Sequence, residues 1–319
     1  MMLAVGVFAL RLPHHNDQQA DGVPVPEQTV ETDGAPGTVH QCIDVPSRCG
    51  YPDATNTGVT PGRNLVKVPE QQTSGSGWYY DDRGYVAVTE PGAVLDGLEL
   101  AVPIDVTADG ARITDVRISV SGEVWGIALR HANGVKIQHV TIASAPTGGR
   151  LLVGIKDIYG DSQGTVISAC DVSGTSTGIQ IVAGTIKDNY IHDLKMKSTD
   201  HVNGITSNGA STPLTIQHNT VLNSHSQTDA IGLFQDFGIE ANRTITDNLL
   251  AGGSYTLYAG QNTGAPTTSH IVVTGNRFAT PYYRKSGQFG YATAWAPDGP
   301  GNVWSNNIWD SDGSLVPEP

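Results

Sequence analysis

The stretches GTIKDNYI (residues 184–191), LTIQHNTV (214–221) and RTITDNLL (243–250) repeat one pattern along the chain. Each has an isoleucine in its third position and an asparagine three residues later. Related segments continue the pattern in both directions. Their aligned apolar residues are Ile113, Ile137, Ile167, Ile186, Ile216, Ile245, Val273 and Trp304. Self-similarity at such a period is typical of a solenoid, in which each repeat stacks on the next.

A second series of apolar residues runs parallel to the first, at spacings of 24 to 28 residues. Its members are Ile127, Ile155, Ile179, Ile205, Ile231 and Leu257. The repeats have short segments of period two between Gly, Asn, Asp, Ser and Thr, which favours strands over helices. One repeat cannot bury its own apolar face, but stacked repeats about 4.8 Å apart build parallel sheets around one core. We therefore predict an all-β protein, a single-stranded right-handed parallel β-helix of about eight coils.

A regular polar column accompanies the apolar ones. It consists of Asn189, Asn219, Asn248, Asn276 and Asn307. Asparagine tolerates left-handed backbone geometry, and stacked copies can hydrogen-bond one another. We interpret the column as a structural asparagine ladder. Cys170 falls in the same column one coil earlier, which predicts a buried, unreactive thiol.

The pattern divides the chain into five segments. Residues 1–11 resemble the remnant of a signal peptide. Residues 12–41 have the composition of a disordered linker, and residues 42–93 are assigned to an N-terminal cap that closes the solenoid. The β-helix itself is expected over 94–309, followed by a tail over 310–319. Cys42 and Cys49 are close enough in sequence to form a disulfide, which would indicate a secreted, extracellular protein.

Charge narrows the classes of partner. The chain of 319 residues has a formal net charge of −13, which argues against nucleic-acid binding. A polyanion would need a local cluster of Lys and Arg or a bridging cation. The apolar stretch near the N-terminus is too short to span a membrane, so no membrane contact is expected beyond a signal peptide. We expect a monomer.

The stretch CGYPDATNTGVTPG (49–62), followed by NGI-type and HNTV-type segments, resembles a group of secreted actinobacterial β-helix proteins. These belong to the pectate-lyase-like superfamily, and the resemblance covers residues 42–309. It implies a carbohydrate-active protein with a polysaccharide partner. Members of the superfamily include polysaccharide lyases, glycoside hydrolases, epimerases and phage tailspikes, so the resemblance implies the fold more specifically than the reaction.

Candidate site residues lie on the outward positions of the second series and in the loops before them. The loops 143–151 and 192–200 are expected to wall a groove. A polysaccharide lyase, our preferred function, needs a base, an acid and a group that neutralises a uronate carboxylate. The candidates for base are Lys156, His201 and His225, and Tyr258 is the candidate acid. Substrate-binding candidates are Arg130, which would neutralise the carboxylate, Gln180, Asn203 and Gln227.

Two alternatives to a lyase remain open from the residues. A glycoside hydrolase would use Asp200 and Asp229 as its pair of carboxyl groups. The same two carboxylates are candidate ligands for Ca²⁺, the only cofactor we consider. The other alternative is a non-catalytic carbohydrate-binding or adhesion solenoid, including one like a phage spike. Asp157 falls at an inward position, which we interpret as the strand ending at Lys156.

Overall fold

The structure is a computed structural model that describes residues 41–319. The predictions for residues 1–11 and for 12–40 lie outside the described residues. The described part begins with two short 3-10 helices, Cys42–Asp44 and Pro46–Cys49. Cys42 and Cys49 form a disulfide across them, as the sequence predicts.

Three parallel sheets form the body of the protein, and the chain visits them in the order B, C, A. Sheet A contains β1 (Val66–Val68), β6 (Leu98–Leu100), β9 (Arg117–Ser119), β12 (Thr141–Ala143), β15 (Asp171–Ser173), β18 (Tyr190–His192), β21 (Thr220–Asn223), β24 (Leu249–Gly252), β27 (Arg277–Phe278) and β30 (Ile308–Trp309). Sheet B contains β2 (Ser74–Gly75), β3 (Trp78–Asp81), β4 (Tyr85–Val88), β7 (Ile104–Val106), β10 (Gly122–Leu129), β13 (Leu151–Asp157), β16 (Thr175–Gln180), β19 (Asn203–Ser207), β22 (Asp229–Leu233), β25 (Tyr255–Ala259) and β28 (Gly290–Thr293). Sheet C contains β5 (Val94–Asp96), β8 (Arg112–Thr114), β11 (Lys136–Gln138), β14 (Val166–Ser168), β17 (Gly184–Lys187), β20 (Leu214–Gln217), β23 (Ala241–Thr246), β26 (Ser269–Thr274) and β29 (Val303–Ser305).

The predicted right-handed parallel β-helix is confirmed, with about nine coils rather than eight. The first coil begins at β4, which pairs in parallel with β7. Before it, β2, β3 and β4 pair in antiparallel fashion.

The two predicted apolar series occupy the core in the expected register. Ile127 pairs with Ile155, Ile155 with Ile179, and the series continues to Leu257. These side chains are fully buried, as is Ile216 of the other series at 1% exposure. Because aligned apolar residues stack on one another, each coil buries the apolar face that it could not bury alone.

The asparagine ladder is confirmed. Asn189, Asn219, Asn248, Asn276 and Asn307 are completely buried. The side-chain oxygen of Asn219 accepts the backbone N–H of Asn189 at 3.0 Å, and Asn248 does the same for Asn219 at 2.9 Å. The left-handed residue is not the asparagine but the one before it, such as His218 with φ 52°. The ladder thus lies at the turn from sheet C to sheet A.

Cys170 is a free, fully buried thiol. Its backbone N–H donates to the side-chain oxygen of Asn189 at 2.9 Å, so it continues the ladder as predicted. Burial raises the pKa of the thiol to about 12. The residue is therefore structural.

Residues 42–63 run along the outside of the solenoid, and we call them the strap. The backbone N–H groups of Cys42 and Ile43 donate to Asp310, beside the last coil. Further along, Tyr51 donates to Asp247 at 3.0 Å. The N–H of Thr60 reaches Asp115 at 2.8 Å, near the first coils. The strap therefore connects coils from one end of the solenoid to the other.

Aromatic side chains pack against the C-terminal end of the core. They are Tyr291, Trp295, Trp304 and Trp309. The final residues pack against this group, because Val316 is 4% exposed and its carbonyl accepts the indole N–H of Trp304 at 3.2 Å.

Candidate functional site

The candidate sites lie along the two edges of sheet B that are formed by the beginnings and the ends of its strands. At the edge where its strands begin, loops that leave sheet A line an open cavity of about 560 Å³, which we call the loop cavity. Its lining consists of Gly122, Glu123, Gly148, Gly149, Arg150, Leu194, Lys195, Met196, Lys197 and His225. The expectation that the loops 143–151 and 192–200 wall a groove is confirmed.

Arg150 holds the two walls of the loop cavity together. Its guanidinium donates to both carboxylate oxygens of Asp200, at 2.6 and 2.9 Å, in a bidentate pair that joins the two loops. It also donates to the Gly122 carbonyl at 3.1 Å and to Glu123 at 3.0 Å. The pair is nearly enclosed, with side-chain exposures of 6% for Arg150 and 10% for Asp200. Hydrogen bonds from Arg150 lower the pKa of Asp200 to about 2, so this carboxyl stays ionised.

Two lysines add positive charge to the same cavity. The ammonium of Lys195 donates to the hydroxyl of Ser144 at 2.9 Å, and that of Lys197 donates to Glu123 at 2.9 Å. Both lysines are exposed. An ammonium has three donors, so each keeps donors for a ligand. With Arg150 they make three cations against the carboxylates of Glu123 and Asp200, a positive region in a chain of net charge −13.

His225 places an imidazole in the lining of the loop cavity. Its Nε2 lies 2.8 Å from the backbone carbonyl of Leu194. A carbonyl only accepts, so Nε2 carries the proton and Nδ1 of the neutral ring is the acceptor. The half-buried ring is therefore fixed by the same loop that carries Lys195 and Lys197. An imidazole with one nitrogen tethered and the other available as an acceptor has the arrangement of a general base.

The structure distributes the sequence-predicted residues over several places. His225 lines the loop cavity, and Asp200 lies behind it on Arg150. Lys156 and Gln180 lie at the opposite edge of sheet B, in a groove of about 410 Å³. Arg130 is paired with Asp105 at 2.9 Å and lies 5.6 Å from the ring centre of Trp125.

Asp229 is fully buried, and neither of its carboxylate oxygens has a hydrogen-bond partner among the described residues. It lies over Gly232, since a Cβ on that glycine would come within 2.4 Å of its carboxylate and 2.5 Å of the ring of Phe234. Burial raises its pKa well above the ordinary value. Asn203, its in-register neighbour, is buried and its amide oxygen is also unpartnered. Asp229 therefore has no direct access to a substrate.

The remaining candidates are apart from the loop cavity. The hydroxyl of Tyr258 is hydrogen-bonded to Ser254 at 2.8 Å, and burial raises the pKa of the phenol. His201 is exposed, and Gln227 is half-buried with its carbonyl accepting the Asn223 amide at 2.8 Å. Asp200 and Asp229 occupy unrelated environments, and no group of three or more His, Cys, Asp or Glu within residues 41–319 is placed to hold a metal ion.

Sequence reasoning missed Arg150 and Glu123. Arg150 follows two glycines and lies 50 residues from its partner Asp200, a separation that no local pattern reports. Its position was the one indication in the sequence that Arg150 belongs to the site. Arg150 directly precedes the predicted strand of Ile155, at the end of a loop expected to wall the groove.

The predicted end of the strand at Lys156 is wrong. Strand β13 continues through Asp157, whose buried carboxylate accepts hydrogen bonds from Ser162 and from the Gly160 N–H. The turn that follows the strand thus folds back to satisfy it.

Compared with known proteins, the chain matches no family model, no curated protein and no solved structure. No helix in the described part of the chain is long and apolar enough to cross a membrane. The structure defines the class as a parallel β-helix with a positively charged cavity beside sheet B.

Proposed function

We propose that this protein is a secreted polysaccharide lyase that cleaves an acidic polysaccharide by β-elimination in the loop cavity. The observation that carries the proposal is the tethered imidazole of His225 beside three cations, in a protein whose overall charge repels polyanions. A local cluster of Lys and Arg is what an acidic protein needs to bind an anionic chain. The exposed ammonium group of Lys197 would receive the uronate carboxylate.

The residues of the cavity suit the three roles of β-elimination. Neutralising the carboxylate acidifies the neighbouring C–H, and the Nδ1 atom of His225 would take that proton. The electron pair forms the new C=C bond as the C–O bond to the leaving sugar breaks. The ammonium of Lys195, positioned by Ser144, would give a proton to the leaving oxygen. Arg150 is a positioning residue, because its own donors are engaged by Asp200, Glu123 and Gly122.

Two further features support the proposal. The sequence resemblance to the pectate-lyase-like superfamily implies polysaccharide chemistry, and the Cys42–Cys49 disulfide suits an oxidising, extracellular location. The carboxylates that a hydrolase would need are less suitable. Asp200 is engaged by Arg150, and Asp229 is enclosed.

The test is a panel of polygalacturonate, alginate, hyaluronate and a neutral glucan, followed by the ultraviolet absorbance of unsaturated uronate and by reducing ends. We expect absorbance with at least one acidic polymer and none with the glucan. His225→Gln keeps an amide that can donate to the Leu194 carbonyl but provides no base. It should lower kcat by roughly 10²–10⁴-fold, the usual contribution of a general base.

The matched control is His270→Gln, on the outer face of sheet C, where the histidine is exposed. It should turn over substrate like the unmodified protein. Reducing ends without absorbance would replace the lyase with a hydrolase. Binding without either product would leave a non-catalytic carbohydrate-binding solenoid, and full activity in His225→Gln would remove His225 as the base.

A further inference from the structure

The opposite edge of sheet B carries a second concave surface that the proposed reaction does not use. We call it the Lys156 groove. It has a volume of about 410 Å³ and includes Lys156, Tyr159, Gln180, Asn208 and Phe237 in its lining. Strand β13 separates it from the loop cavity, because Arg150 directly precedes the strand and Lys156 lies near its end. Six residues of extended chain span about 20 Å, so the two sites are distinct.

Lys156 is a cation without a partner in this groove. It is half-buried, and its ammonium forms no ion pair or hydrogen bond with any residue in 41–319. Its neighbour Asp157 is engaged by Ser162 and Gly160. Burial lowers the pKa of Lys156, and the attraction of the neighbouring carboxylate of Asp157, which also lines the groove, offsets this only in part. The ammonium has thus lost water without gaining an ion pair or a hydrogen bond. An anionic ligand would provide a counter-ion.

Two exposed aromatic rings flank this cation. Tyr159 is 56% exposed and Phe237 is 74% exposed. Tyr159 stacks on His131 with centroids 4.2 Å apart and planes only 2° apart. The N–H of Phe237 donates to the carbonyl of Asn208 at 3.0 Å, so this ring is on a tethered turn. Large aromatic side chains exposed on positioned backbone are characteristic of binding surfaces.

We infer that the Lys156 groove is a second binding site, for the uronate or sulfated sugars of an acidic polysaccharide. The two rings offer flat apolar surface to the faces of sugar rings, Gln180 and Asn208 offer amides to hydroxyls, and Lys156 pairs with the anion. The inference takes its ligand class from the proposed function but does not need cleavage to occur.

The test measures binding by calorimetry on the His225→Gln background, with polygalacturonate, alginate and hyaluronate as probes and a neutral glucan for comparison. Lys156→Ala and Phe237→Ala should each weaken binding of the best acidic polymer about tenfold, which is 1.4 kcal/mol. Lys136→Ala is the matched control, since Lys136 is an exposed lysine on sheet C. It should bind like the background protein.

Unchanged affinity in both Lys156→Ala and Phe237→Ala would overturn the inference, and so would failure of the background protein to bind any acidic probe. Equal affinity for the neutral glucan would also overturn it. The two proposals fail differently. If no polymer is cleaved but Lys156→Ala weakens binding, the groove stands and the lyase falls. If cleavage occurs and neither groove variant changes binding, the lyase stands and the groove falls.

Discussion

Replacing Arg150 by alanine should destabilise the protein far more than an ordinary loop substitution. The change leaves Asp200, with a side-chain exposure of 10%, without the cation that now donates to both of its oxygens. Breaking a buried ion pair by removing one partner costs about 3–5 kcal/mol. Asp200 would still accept from the Ser176 hydroxyl and the Lys197 N–H. We therefore expect the lower end, about 3 kcal/mol of unfolding free energy.

The matched control is Arg130→Ala. Arg130 is also paired with an aspartate at 2.9 Å, but the side chains of Arg130 and Asp105 are 27% and 26% exposed. A pair so open to water contributes about 0–1 kcal/mol. Urea unfolding followed by circular dichroism would measure both variants. A double-mutant cycle with Asp200→Ser should give a coupling energy of about 2–3 kcal/mol for the Arg150 pair.

Arg150→Ala should also lower kcat, although Arg150 itself does not contact the substrate. Its loss releases the loop 192–200, whose Leu194 carbonyl orients His225. A displacement of about 1 Å at a catalytic group can cost roughly 10²-fold in rate. We expect a loss of that size in kcat at a temperature where the variant is fully folded. Equal stability losses in Arg150→Ala and Arg130→Ala, or a cycle without coupling, would show that the Arg150–Asp200 pair does not hold the two loops together.

Two further predictions concern stability. Asn219→Ala removes the acceptor of the buried Asn189 N–H and the donor to the Ile186 carbonyl. Each buried group left without a partner costs about 1–3 kcal/mol, so urea unfolding should show an unfolding free energy lower by about 3–5 kcal/mol. The exposed Asn133→Ala should lose under about 1 kcal/mol, and equal losses would contradict the ladder. The carboxyl of Asp229 ionises at about pH 4 in the unfolded state, whereas in the folded state its pKa is raised by burial. The unfolding free energy of the wild type should therefore fall as the pH rises from about 4 toward the folded pKa. Asp229→Asn should remove that fall; a stability difference between variant and wild type that is the same at pH 4 and pH 7 would show that Asp229 is ionised when folded.

The solenoid was predictable because its two apolar series specify the strand register directly. Ile127 pairs with Ile155 and Ile186 with Ile216, despite unequal loop lengths between them. The loops absorb the variation, so the pattern survives it. The hydrogen bonds of polar side chains were harder to predict than the apolar core. The strand was expected to end at Lys156 because the hydrogen-bond partner of Asp157, Ser162, lies in the following turn. The alternation of apolar and polar residues does not report the conformation of a turn.

The candidate site was predictable only in part. A histidine and two loops of unusual length indicated the loop cavity, and His225 lines it. The burial of Asp229 was not visible, because it depends on the ring of Phe234 and on the space above Gly232. A glycine at an outward position, where other coils carry Lys156, Gln180 and Tyr258, was the available signal that another group fills that space.

The strap has consequences for both stability and function. In a solenoid each coil contacts only its neighbours, so a terminal coil can unfold alone. Here the strap bonds to Asp310 beside the last coil, to Asp247 and to Asp115. Unfolding of the last coil must therefore also break its contacts with the strap. The strap packs on the outer side of sheet A, against Leu249 and Ala251. The segment that connects the coils thus lies on sheet A, whereas sheet B has the loop cavity where its strands begin and the Lys156 groove where they end.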